Sequence, residues 1–141
     1  MLDKTATKFS RLEPADTPWR SDGLRDFFLY KDPGILEATA GLVIAHPVKA
    51  SNAPEKGTGW HRNEADFQIV HMTKGYGDEE TLVEAGDCVH QRPGIVHYLF
   101  DYSPDMEYLE VVGPADFSTV EMPAPAAVPD PLPWPAEAKA A

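Results

Sequence analysis

Between Asp66 and Val112 the chain never runs far before turn-forming residues interrupt it. Five short strand-like runs, Asp66–Thr73, Thr81–Val83, Cys88–Gln91, His97–Asp101 and Met106–Val112, are separated by Lys74-Gly75-Tyr76-Gly77-Asp78, Ala85-Gly86-Asp87, Pro93-Gly94 and Ser103-Pro104-Asp105. A helix needs a longer stretch with apolar residues three and four apart, and no segment from 35 to 117 carries that pattern. Many short strands at close spacing specify a sandwich or a barrel. The expected fold is therefore all-β.

The flanks read differently. Residues 1–34 are broken by Pro14, Pro18, Gly23, Pro33 and Gly34 and form an N-terminal extension suited to covering a partner; within it Leu24–Tyr30 suits a short helix or an edge strand. Residues 35–48, ILEATAGLVIAHPV, suit one or two strands better than a helix. Residues 49–59 are a polar loop, and residues 35–121 make up the expected barrel. In residues 122–141 six of the chain's fourteen prolines occur, and proline blocks both helix interiors and sheet ladders. That segment is expected to be a loose arm, unless Leu132 and Trp134 pack it onto its own barrel or a neighbouring subunit.

With 141 residues there is room for one domain, and 43% apolar residues suffice for a core. Twenty-three acidic against 12 basic residues leave a formal charge of −11, with no basic stripe to attract phosphates. Nucleic-acid and membrane partners are not expected. Cys88 is the only cysteine, so no intrachain disulfide forms. The first residues lack the apolar core of a signal peptide, and no apolar run is long enough to span a bilayer. A cytoplasmic location is expected.

All five histidines lie between positions 46 and 97. His61 follows a glycine-rich loop, and His97 comes three residues after the Pro93-Gly94 turn. Both stand at strand ends, where a barrel points side chains into its mouth. Neutral imidazole is the commonest protein ligand for divalent metals, and two from separate strands can begin a mononuclear site.

Here the sequence resembles the cupins, the germin-like and RmlC-like jelly rolls. Their first motif, Gly-x5-His-x-His-x3-4-Glu-x6-Gly, is matched by His61, Asn63, Gln68 and Gly75, in register but with the second His and the Glu replaced; the leading Gly falls on Glu55. The second motif is matched by Gly86-Asp87, Pro93-Gly94 and His97, with Asp101 at the closing Asn. Only ten residues separate Gly75 from Gly86, so one hairpin must be short. Asp66-Phe67-Gln68 and Pro114-Ala115-Asp116-Phe117 are also similar to segments of a group of bacterial cupins of unassigned activity. The resemblance implies a single-domain jelly-roll β-barrel that pairs as a homodimer.

It further implies metal ligands at His61, Asn63, Gln68 and His97, and a divalent transition metal (Fe, Mn, Ni or Zn) as cofactor. Asn63 and Gln68 offer neutral carbonyl oxygens only, so metal is expected to bind more weakly than in a cupin with the full set, or not at all. Glu64 and Asp66 are carboxylates near enough in sequence to restore charge. Alternatively, His61 and His97 hydrogen-bond a ligand directly, Asn63 caps the loop, and Gln68 holds a buried amide network.

The remaining histidines divide by alternation. His71 shares a face with Ile69, opposite Gln68 and Val70, and is expected against a second sheet or an interface. His90 fits either face, and His46 is expected at an exposed strand end. Cys88 is expected to be a small core residue, and Tyr98, Phe100, Tyr102 and Tyr108 barrel lining or core. Trp60 suits a pocket wall or a loop anchor.

Three functions compete. A metal-dependent dioxygenase or isomerase would use His61 and His97 as ligands. A metal-free, epimerase-like enzyme would use one of them as general base, with Arg62 and Arg92 as the nearby cations. A binding module would hold a small molecule without chemistry.

Overall fold

Alternation along one strand decides which side of the main sheet is the core. In a computed structural model of the chain, which describes residues 5–54, 57–78, 81–127 and 129–135, ten strands form. Strand β9 (Glu107–Gly113) points Tyr108, Glu110 and Val112 inward. Its neighbours are β2 (Ile44–Ala50) on one side and β4 (Phe67–Lys74) on the other, both antiparallel. Edge strands β1 (Phe28–Tyr30) and β7 (Cys88–Gln91) complete a five-stranded sheet in the order β1-β2-β9-β4-β7.

The opposing wall is assembled from smaller pieces. Strand β3 (His61–Asn63) pairs with β10 (Thr119–Glu121), and β5 (Tyr76–Asp78) lies between β6 (Leu82–Glu84) and β8 (Asp101–Tyr102). An isolated bridge between His61 and His97 ties the two pieces together. The core between the walls holds Phe28, Val48, Met72, Leu99, Tyr102 and Met106. Each side chain of this size contributes roughly 1.5–3 kcal/mol when fully removed from water.

The expected all-β class and jelly-roll barrel are observed. Cys88–Gln91 forms a strand with the bounds expected, and the edge-strand reading of Leu24–Tyr30 holds for Phe28–Tyr30. That strand carries Phe28 into the core, so the barrel's sheet begins inside the expected N-terminal extension. Three expectations need correction. Ile35–Ala38 forms one turn of helix, α1, where a strand was expected; left-handed Gly34 turns the chain into it. Tyr76–Asp78, read as turn, is a strand. Of His97–Asp101, expected as a strand, only Asp101 enters one, and His97 makes an isolated bridge.

At Gly75 the turn between β4 and β5 requires glycine. Its φ is +67°, and a Cβ there would collide with Ser103 Oγ and stand 2.9 Å from the Met106 backbone nitrogen. Beyond it β5 and β6 form the short hairpin expected between the two motifs.

Trp134 anchors the proline-rich arm on its own barrel, while Leu132 stays exposed. The indole Nε1–H donates to the Tyr102 carbonyl at 3.0 Å, and the two rings meet edge-on at 5.9 Å. Residues 136–141 and position 128, like Glu55 in the first motif, lie outside the described residues. No helix among the described residues is long and apolar enough to cross a membrane.

Candidate functional site

His61 and His97 meet because their backbones do. His61 N–H donates to the His97 carbonyl at 3.0 Å, and His97 N–H donates to the His61 carbonyl at 2.8 Å. Directly opposed residues in an antiparallel pair send their side chains to the same face. Here that face is the cavity wall, and the two ring centroids stand 4.2 Å apart.

The tautomer of both rings follows from their partners. Nδ1–H of His61 donates to the Gly59 carbonyl at 2.7 Å, and Nδ1–H of His97 to the Ile95 carbonyl at 3.0 Å. A carbonyl can only accept, so each neutral ring carries its proton on Nδ1 and leaves Nε2 bare. Burial pushes both pKa values below the usual 6.5, and the positive charge of Arg25 pushes them the same way. The site thus presents two neutral Nε2 lone pairs.

A second polar chain crosses the cavity from wall to wall. His46 Nε2 and Glu110 Oε1 are 3.0 Å apart, and Gln68 Nε2 donates to Glu110 Oε2 at 2.9 Å. Asn63 Nδ2 donates to Gln68 Oε1 at 2.8 Å, and Thr119 Oγ1 donates to Asn63 Oδ1 at 2.9 Å. The expectation for His46 is therefore corrected: it lies within β2, opposite Glu110 in register, and faces inward. Glu110 was missed in the sequence, although its inward parity with Tyr108 and Val112 was readable there.

The donor chemistry tests the metal expectation. His61 and His97 are suitable ligands as they stand. Asn63 and Gln68 already use their carbonyl oxygens as acceptors, and both oxygens of Glu110 are engaged by His46 and Gln68. Arg25 adds a cation near both imidazoles. Among the described residues no group of three or more His, Cys, Asp or Glu is placed to hold a metal ion. Two neutral nitrogens beside a guanidinium do not fit a tightly held divalent ion.

The cavity encloses about 570 Å³ and has largely apolar walls, including Ile44, Val70, Met72, Leu99 and Met106. Arg25 and Glu110 are the only cation and carboxylate among the described residues lining it. Tyr30, which also lines it, has its pKa pushed up to about 12, chiefly by burial. Arg62 and Arg92, the cations expected from sequence, do not line it; Arg62 Nε pairs with Glu64 at 2.8 Å on the surface. Glu64 and Asp66 are exposed and supply no charge to the site.

Other expected positions fall outside. Cys88 is exposed, correcting its expected place in the core, because alternation in β7 turns Val89 and Gln91 inward. His71 and His90 share that outer face and are exposed. Trp60 packs on Tyr98 at 5.4 Å and anchors the loop before β3, outside the cavity.

No protein-family model and no curated protein matches this sequence. Solved structures do. The chain is similar to the polyketide cyclase RemF from Streptomyces resistomycificus, with a TM-score of 0.63 and 12% identity over 82% of this chain and 88% of that one. It is similar to an RmlC-like cupin protein from Ralstonia eutropha, with a TM-score of 0.57 and 18% identity over 80% and 73%. The chain has a cupin fold. A β-barrel, the nucleoside dehydratase Pac13 from Streptomyces, aligns with a TM-score of 0.53 and 14% identity over 84% of this chain and 95% of that one. At these identities the likeness concerns the fold, and the site must be argued from its own residues.

Proposed function

We propose that the barrel binds a small organic molecule and that His61 and His97 act on it without a metal, in a proton-transfer reaction of isomerase type. The observation that carries this reading is the pair of bare Nε2 atoms, each fixed by its Nδ1–H bond to a backbone carbonyl. A neutral imidazole held in one orientation is a general base near neutral pH. The proton accepted by one Nε2 is returned from the same nitrogen to a neighbouring atom of the molecule, so no proton is consumed. The second Nε2 accepts a hydrogen bond from a hydroxyl of that molecule. The negative charge of Glu110 favours the imidazolium formed on either ring.

Both rings stand on one wall and reach one face of a bound molecule. That arrangement favours moving a proton between adjacent atoms over inverting a stereocentre, which needs bases on opposite faces. The fold's neighbours include a polyketide cyclase and variants of Pac13 solved with uridine, which supports a small organic ligand in a barrel of this shape. The pairing of two copies expected from the sequence is part of the same proposal and is read by sedimentation equilibrium.

The test is deuterium incorporation from heavy water into small hydroxy ketones and hydroxy acids, followed by proton NMR. Exchange should occur on at least one compound and disappear in His61→Asn and His97→Asn. No exchange on any compound, or exchange undiminished in both variants, rejects the reading. The same tautomer suits a second reading, a weakly held Fe, Mn, Ni or Zn ion on the two histidines, since a ligating histidine likewise bonds its other nitrogen to a carbonyl; elemental analysis separates the two.

A further inference from the structure

Arg25 places a largely buried positive charge at the cavity, and its Nη2 has no hydrogen-bonding partner among the described residues. Its side chain is 19% exposed. Among the described residues the nearest carboxylate oxygen, Glu121 Oε1, is 3.9 Å away on a side chain 69% exposed to solvent. Burying an ion with only a distant, solvent-exposed partner is costly, and an anion bound in the cavity would offset that cost.

The backbone holds Arg25 in place from both sides. Its N–H donates to Tyr30 Oη at 3.1 Å, and its carbonyl accepts from Phe28 N–H at 3.3 Å. Glu121 is the register partner of His61 in the β3–β10 pair, so the guanidinium near Glu121 lies at the His61 end of the cavity. The effect of its charge on both imidazoles agrees with that position.

We propose that Arg25 is the anchor for the carboxylate of the bound molecule, and that this molecule is a monocarboxylate with an apolar body. The proposal rests on reading the cavity as a small-molecule site. One guanidinium balances one negative charge. A phosphate ester would bring up to two charges into a space that also holds Glu110, with Glu121 close to Arg25. The walls around Val70, Met72 and Leu99 accept an apolar body. A carboxylate held on Arg25 presents its neighbouring carbon toward His61.

The test is isothermal titration of the full chain with phenylacetate, phenylacetamide and benzyl phosphate. Phenylacetate should bind saturably and about tenfold or more tighter than the amide, because a charge-assisted pair outweighs a neutral one. Arg25→Gln should erase that difference and Arg25→Lys keep part of it. Glu121→Gln, on an exposed side chain, should tighten phenylacetate by removing a competing charge. Equal affinity for acid and amide, no saturable binding, tighter binding of benzyl phosphate, or a difference that survives in Arg25→Gln overturns the proposal. If Arg25→Gln does not fold, unchanged phenylacetate affinity in Glu121→Gln overturns it. Carboxylate-selective binding without deuterium exchange supports the anchor and removes the base role. Exchange on uncharged hydroxy ketones with no carboxylate preference does the reverse.

Discussion

His61 and His97 exchange both backbone hydrogen bonds, and each gives its Nδ1 hydrogen to the carbonyl two residues before it. The relationship fixes two neutral rings in a space where a proton is unwelcome. Both pKa values are lowered from 6.5, so between the folded values and 6.5 the unfolded chain holds more protons than the folded one. The stability that these rings contribute is complete above about pH 6.5 and is lost as pH falls through their folded values. Denaturant midpoints measured from pH 7.5 downward should stay level and then decline below 6.5. In His61→Asn/His97→Asn that part of the decline should flatten.

Glu110 holds His46 with one oxygen and Gln68 with the other, joining β2 and β4 through β9. Glu110→Ala leaves His46 Nε2 and Gln68 Nε2 without their partner inside the barrel. Its cost should be about 1–3 kcal/mol in urea unfolding, the usual penalty for stranded polar groups. An unchanged midpoint would show that the chain of polar contacts contributes nothing.

Asn63 and Gln68 occupy the places where the cupin motif has His and Glu. Asn63→His combined with Gln68→Glu should create a zinc site near one equivalent per chain, because imidazole and carboxylate supply the basicity and charge that amides lack. Without zinc the same variant should be less stable by about 1–3 kcal/mol, since the new carboxylate faces Glu110 where an amide now donates. Thermal melting with and without zinc reads both effects.

Trp134 ties the proline-rich arm to Tyr102 through one hydrogen bond and an edge-on ring contact. Trp134→Ala should cost about 1–3 kcal/mol from these two contributions together, with the barrel still folded by far-ultraviolet circular dichroism.

Much of the barrel was readable because strands obey a period of two and glycines mark the turns. Gly75, Gly86 and Gly94 all have positive φ, and Asp87 does brace its turn by accepting from Glu84 N–H at 2.9 Å. The motif spacing singled out His61 and His97, and both line the cavity. Glu110 was missed and His46 misplaced because their importance comes from strands β2 and β9 being neighbours, a long-range pairing that no local pattern reports. Arg25 escaped for a related reason. It precedes the first strand in a segment of ambiguous pattern, and only the packing of that segment over the barrel turns it inward. Cys88 and Ile35–Ala38 failed on short segments, where one residue of phase or one turn of helix changes the outcome.

Elemental analysis decides between proton chemistry on bare imidazoles and chemistry on a metal. The purified chain is incubated in turn with iron, manganese, nickel and zinc, then passed through a gel-filtration column in metal-free buffer. A metal-independent site predicts well under one equivalent of each per chain, with no difference in His61→Ala/His97→Ala. Close to one equivalent of any of them, lost in that double variant, contradicts it.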